Sequence, residues 1–183
     1  ALGVILSRQE QWDAASDVLT NAATRMPGSP EVHSQLAYVF YRTDDGDNAI
    51  AEARTALSMD PQNAEAYRLL GLGLYSNGKY LGAKNAFEQS LTREPNNSDV
   101  YYDMGVTLRD QGDLRGAAIA YKRALKLRPD FWEAHSNLGI VLHDQGKMDE
   151  ALVEYRAAKA LAPDEPSVRN NIGTTLCDKG DFD

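Results

Sequence analysis

Few residues in this chain have types that could do chemistry: His33, His135 and His143, the single Cys177, and the glycine-rich run YRLLGLGLYSNGKY at residues 67–80. A nucleophile needs a base beside it, and the base needs a third group to orient it. His143 is followed by Asp144 but lacks the two-histidine helical spacing of a zinc protease, and neither a Gly-x-Ser-x-Gly elbow nor a Walker loop occurs. The glycine run could pass for a phosphate cradle, in which backbone N–H groups converge on an anion between a strand and a helix. Lys79 comes too late for that role, and no second glycine pair follows. One cysteine excludes an internal disulfide framework and any cysteine-rich zinc site. The expectation is a chain with no catalysis of its own, no metal and no cofactor.

The elements that would position these residues must be built from 183 residues, 43% hydrophobic and 25% charged, enough to bury a sizeable core. Acidic residues outnumber basic ones 27 to 19, and the net charge of −8 repels phosphate backbones. Nucleic acid is therefore an unsuitable partner, and a basic or apolar one fits better. No apolar run reaches the length of a membrane span, and the opening ALGVILSRQE lacks the pattern of a signal peptide, so membrane insertion is not expected. The compartment stays open, with cytoplasm preferred and periplasm equally compatible with a lone cysteine.

Self-similarity is the dominant signal. Pro27, Pro61, Pro95, Pro129 and Pro163 follow one another at a spacing of 34. The same shift aligns Ala15, Ala49, Ala83, Ala117 and Ala151, then Ala22, Ala56, Ser90, Ala124 and Ala158, and a bulky column of Leu19, Phe87, Tyr121 and Tyr155 broken by Ala53. Gly3, Ala37, Gly71, Gly105, Gly139 and Gly173 form a further column, each preceded by Leu, Met or Ile. Inside one period the apolar residues recur three and four apart, which is helical spacing. Each repeat is thus a helix pair. The first helix should end at a glycine turn (Gly78, Gly112, Gly146, Gly180) and the second just before the periodic proline, which cannot continue a helix. Asn63 and Asn97 are placed to cap the helices that follow them, and Asp47 to cap the second helix of its own repeat.

On these columns the chain resembles the tetratricopeptide repeat family, a 34-residue helix-turn-helix, and AEAYRLLGLGLYSNGKYLGAKNAFEQSLTREPNN carries nearly all of its signature. The resemblance implies an all-α, right-handed superhelical solenoid of stacked antiparallel helix pairs. It spans residues 1–183 as a single solenoid, with partial repeats at 1–29 and 166–183 and full repeats at 30–63, 64–97, 98–131 and 132–165. The run RTDDGDNA departs from the pattern by moving its glycine to Gly46, which leaves the geometry of residues 43–47 open. Both ends fall inside repeats, so the sequence reads as a piece of a longer solenoid whose exposed core columns predict end-to-end self-association.

In that family the first helix of each pair lines the concave face, and the resemblance therefore implies which columns to read. One runs Tyr41, Tyr75, Arg109, His143 and another Tyr38, Leu72, Val106, Ile140; beside them lie Arg68, Tyr102 and Asn170, then Asn137 and Asn171. Tyrosine gives large contact area at low entropic cost plus a hydroxyl, which suits an extended peptide or a partner helix. Leu72, Val106 and Ile140 fit burial between adjacent helices equally well. The family's lysine, arginine and asparagine clamp on a terminal carboxylate is not present. Asn137 and Asn171 instead resemble two rungs of the asparagine ladder of O-GlcNAc transferases, which grips peptide backbone.

The expected function is a protein-interaction scaffold for a protein or peptide partner. The alternative is the substrate-selecting arm of a larger enzyme such as an O-GlcNAc-transferase-like glycosyltransferase. Two features remain unabsorbed. Asp110, Asp144 and Asp178 lie in the last turns of first helices, where the helix dipole opposes negative charge, so a local hydrogen bond or a basic partner must explain them. Gly73 has no counterpart in its column (Ile5, Val39, Thr107, Val141, Thr175), and Gly73→Ala is expected to stabilise the helix.

Overall fold

A computed structural model describes residues 2–180. Over those residues the chain forms eleven α-helices and no strand, divided between two compact units, Ala1–Pro95 and Asn96–Asp183. The first unit holds α1 (Leu2–Arg8), α2 (Trp12–Arg25), α3 (Pro30–Arg42), α4 (Gly46–Met59), α5 (Ala64–Ser76) and α6 (Tyr80–Arg93). The second holds α7 (Ser98–Asp110), α8 (Leu114–Leu127), α9 (Trp132–Asp144), α10 (Met148–Leu161) and α11 (Pro166–Lys179). The fold class is an all-α helical-repeat solenoid.

Local chemistry ends each helix where the period requires. Gly78, Gly112 and Gly146 have positive φ, and the next residue's N–H closes on the carbonyl five residues back: Lys79 on Leu74, Asp113 on Leu108, Lys147 on Leu142, at 2.8–2.9 Å. The two earlier turns lack the glycine and keep the geometry. Glu10 (φ 58°) and Asp44 (φ 60°) take the left-handed position, and Gln11 and Asp45 donate back to Leu6 and Phe40 at 3.0 and 2.8 Å. The glycine displaced to Gly46 thus changes the residue bearing the strain and leaves the turn intact.

Asn63 and Asn97 cap α5 and α7, accepting from the Ala66 and Val100 N–H groups at 2.9 and 3.2 Å. Asp47 does not cap α4: Asp45 does, accepting from Asn48 N–H at 3.1 Å, while Asp47 accepts from Asn77 Nδ2 at 2.7 Å. Asp45 immediately precedes the helix, so its carboxylate reaches the third N–H; Asp47 already lies inside the first turn and points toward α5.

Each unit buries the predicted columns. In the first, Ala15, Ala49, Ala83 and Phe87 have no exposed surface. In the second, Ala117, Tyr121, Ala124 and Ala151 are equally buried, and Tyr155 is 2% exposed. The glycine column explains itself through these rings. A Cβ on Gly71 would meet the Phe87 ring at 2.5–2.9 Å, and one on Gly105 or Gly139 would meet Tyr121 or Tyr155 as closely. Glycine on the first helix and an aromatic on the second are two halves of one contact.

Candidate functional site

The expected recognition residues all fall on the first helix of a pair: Tyr38 and Tyr41 on α3, and Arg68, Leu72 and Tyr75 on α5 in the first unit. Tyr102, Val106 and Arg109 on α7, Asn137, Ile140 and His143 on α9, and Asn170 and Asn171 on α11 belong to the second.

In the first unit Tyr41 and Tyr75, one period apart, line a single depression of about 350 Å³ together with Arg42, Asp44 and Ser76. Arg42 holds this wall in place. Its guanidinium lies 4.5 Å above the Trp12 ring and 5.9 Å from the Tyr38 ring, its Nη1 donates to the Tyr38 hydroxyl at 3.0 Å, and Glu10 stands 3.7 Å away. Such cation–π contacts contribute about 0.5–2 kcal/mol. Tyr38 packs edge-on against Trp12 at 6.1 Å, and Tyr75 against Tyr80 at 5.9 Å, which fixes both rings. Arg68 pairs with Glu65 at 3.3 Å. Leu72 is 4% exposed and belongs to the packed interior, which corrects its place among contact residues. α5 turns that position toward its neighbours, and the apolar side chain follows the burial its helix face dictates.

In the second unit three expected residues join one network. Asn137 Nδ2 donates to the Tyr102 hydroxyl at 3.0 Å, and its Oδ1 accepts from Arg109 Nη1 at 3.3 Å. Arg109 Nε also donates to Asp110 at 3.0 Å. The Tyr102 ring lies 4.8 Å from Phe131, and burial, assisted by the Glu133 charge, holds its phenol above the ordinary tyrosine range. A carboxamide has two N–H donors and two acceptor lone pairs, so these bonds use one of each on Asn137. Asn171 is half-buried and Asn170 exposed. Val106 and Ile140 are half-buried against the core cluster of Leu108, Tyr121 and Leu138.

The late aspartates have local partners. Asp110 meets Arg109, and His143 is bracketed by Asp178 on Nε2 at 3.0 Å and Asp144 on Nδ1 at 3.7 Å. Each carboxylate opposed by its own helix dipole thus has an imidazole or guanidinium beside it. Sequence reasoning missed Arg42, Trp12 and Ser76. The signal was the column Arg8, Arg42, Ser76, Asp110, Asp144, Asp178, which reverses charge between its early and late members. Among the described residues no group of three His, Cys, Asp or Glu side chains could hold a metal ion, and no helix is long and apolar enough to cross a membrane.

Family models described as Tetratricopeptide repeat match residues 6–72 in one case and 68–122 and 102–166 in another. The chain belongs to the tetratricopeptide repeat family. Small glutamine-rich tetratricopeptide repeat-containing protein 2 of Mycosarcoma maydis is 32% identical over 80 residues, 44% of this chain and 23% of that protein. Protein O-mannosyl-transferase TMTC1 of Homo sapiens is 29% identical over 93 residues, 49% of this chain and 10% of that protein. The matches span less than a quarter of the length of these two relatives. Among solved structures, PilW, described as a type IV pilus biogenesis factor, superposes with a TM-score of 0.91 at 18% identity, covering 99% of this chain and 84% of that one. That likeness concerns the fold alone. YrrB, described as a TPR protein with an unusual peptide-binding site, gives a TM-score of 0.72 at 25% identity over 92% of this chain and 87% of that one.

Proposed function

We propose that this chain is a protein-interaction scaffold that receives a peptide segment or partner helix on the face formed by the first helices of its repeats. The observation that carries the reading is the shared depression of Tyr41 and Tyr75 on α3 and α5, walled by Arg42. Tyr41 and Tyr75 lie one period apart, the Tyr75 ring fixed against Tyr80 and the adjoining Tyr38 ring against Trp12 and Arg42, so part of the ordering cost of this wall is met before a ligand arrives. In the second unit Tyr102, Asn137 and Arg109 supply a pre-organised set of polar contacts of the kind that fixes register on an extended backbone. Similarity to YrrB, whose description names a peptide-binding site, supports the same reading.

The test begins with a random peptide library panned on the immobilised chain, followed by affinity measurement of the enriched peptide. Replacing Tyr41 and Tyr75 together by Ala should weaken binding by about thirtyfold or more, the scale of a hot-spot truncation of 2 kcal/mol or above, with helicity unchanged. Failure to enrich any peptide, or equal binding by the double variant, would overturn the assignment.

A second reading draws on the similarity to Protein O-mannosyl-transferase TMTC1: the repeats serve as the substrate-selecting arm of an enzyme. The recognition face is then the same, and a catalytic domain in the full reading frame distinguishes the two.

A further inference from the structure

The outer surface of the second unit carries a feature that recognition by the first helices does not use. α8 contains Arg115, Lys122, Arg123 and Lys126 and not one carboxylate, in a chain whose net charge is −8. Arg115, Ile119, Lys122 and Lys126 are spaced four, three and four apart, so they form one stripe along the helix. Ile119 stands 64% exposed in the middle of it. Beside the stripe lies a depression of about 790 Å³, floored by Leu114, Ala118 and Ile119 and ringed by Arg115, Lys122 and Lys147. Gln145 Nε2 donates to the Leu114 carbonyl at 3.0 Å and ties the turn bearing Lys147 against the start of α8.

The cations around this depression are unspent. Among the described residues none of Arg115, Lys122 and Lys147 pairs with a carboxylate, and the nearby Asp113 is occupied in capping α8 through the Gly116 N–H at 2.9 Å. By contrast Arg109, Arg128 and Lys179 in the same unit each hold an aspartate within 3.0 Å. Leaving three cations around an exposed isoleucine costs solubility and self-repulsion without an internal return, which is the pattern of a surface complementary to something outside.

We propose that this face of α8 docks an acidic amphipathic helix of a partner protein, whose carboxylates meet Arg115, Lys122 and Lys147 while one apolar side chain covers Ile119. Charge complementarity selects the occupant. A phosphate polymer would match the cations but leave Ile119 wet, and the net charge of −8, which as a whole favours basic partners, opposes an extended polyanion or an anionic bilayer far more than a short helix with a few carboxylates placed on this local basic stripe. A helix with carboxylates three and four apart around one leucine satisfies both halves of the surface.

The test uses a fluorescein-labelled synthetic helix with glutamates at that spacing around a single leucine, and its lysine counterpart, titrated with the chain and followed by anisotropy. The acidic peptide should bind, more weakly as salt rises. Arg115→Glu with Lys122→Glu should lower its affinity by about tenfold, the sum expected for reversing two exposed pairs. Ile119→Ser should weaken binding, whereas Tyr41→Ala with Tyr75→Ala should leave it unchanged and so separates this surface from the peptide-recognition face. Absence of binding, equal binding of the lysine peptide, or unaltered binding by the charge-reversed variant overturns the proposal. Preferential capture of phosphatidylserine vesicles or duplex DNA overturns it as well.

Discussion

Gly46 on α4 and Gly73 on α5 approach so closely that a Cβ on Gly46 would lie 3.1 Å from the Gly73 carbonyl oxygen. The approach is reciprocal. A Cβ on Gly73 would stand 3.0 Å from Ile50 Cγ1 and 3.2 Å from both Ala49 Cβ and the Ile50 backbone nitrogen. Asn77 and Asp47 close the same junction with their 2.7 Å hydrogen bond. These two glycines, neither matched in its own column, are the two sides of one helix crossing.

Gly73→Ala is therefore expected to destabilise the first unit, reversing what helix propensity alone predicts. The alanine would gain about 1 kcal/mol in propensity. It would also overpack a contact made partly of backbone, at a cost of about 1–3 kcal/mol. A net loss near 1 kcal/mol, read as a lower urea midpoint with unchanged slope, is the expected result. Gly71→Ala, whose methyl would enter the Phe87 ring, should lose more, and a stabilised Gly73→Ala would refute the crossing.

Alkaline pH should weaken the second unit through Tyr155. Burial first and the Asp144 charge second, opposed by a hydrogen bond with Thr175, together push its phenol up to about 12. In the unfolded chain the same group ionises near its ordinary value of about 10. Above that pH the unfolded state loses its proton first, so stability falls as pH rises from about 10 to about 12. Tyr155→Phe should flatten this limb of a stability–pH curve measured by denaturant titration, leaving the smaller contribution of Tyr102. An unchanged limb would place Tyr155 in a wetter setting than its 2% exposure implies.

What could be read from the sequence follows rules that act within one repeat. Pro61 and Pro95 end helices because of their own ring, and Gly71 is small because Phe87, sixteen residues on, fills the space. Turn geometry carried by an unexpected residue type, and rules that depend on neighbouring repeats, were less legible. Asp44 takes a positive φ that nothing in its type demands, because the next N–H must still reach Phe40. Leu72 and Val106 share a column, yet the first is 4% exposed and the second half-buried, since each depends on what the adjoining helices place above it. The link of Asn137 to Tyr102 spans 35 residues and one period, so it was visible only as two residues on neighbouring columns.

A coupling between the two helices of a single repeat is open to direct measurement. His135 Nδ1 lies 2.7 Å from Glu154 Oε2, and His33 Nδ1 lies 2.6 Å from Glu52 Oε2, each pair nineteen residues apart. The two intervening repeats place Tyr67 and Tyr101 in the histidine position and Ala86 and Ala120, both buried, in the glutamate position. Histidine thus occurs with glutamate and tyrosine with alanine, because an imidazole N–H needs an acceptor whereas the larger phenol needs room. Glu154→Ala alone should cost about 1–2 kcal/mol by leaving a largely buried ring nitrogen without its partner. His135→Tyr alone should cost a similar amount by crowding a carboxylate that has lost its donor. The double variant restores the pairing of the middle repeats and should be more stable than the sum of the single losses by about 1 kcal/mol. Additive losses would show that the two positions are chosen independently, and the pairing would then be a coincidence of four repeats.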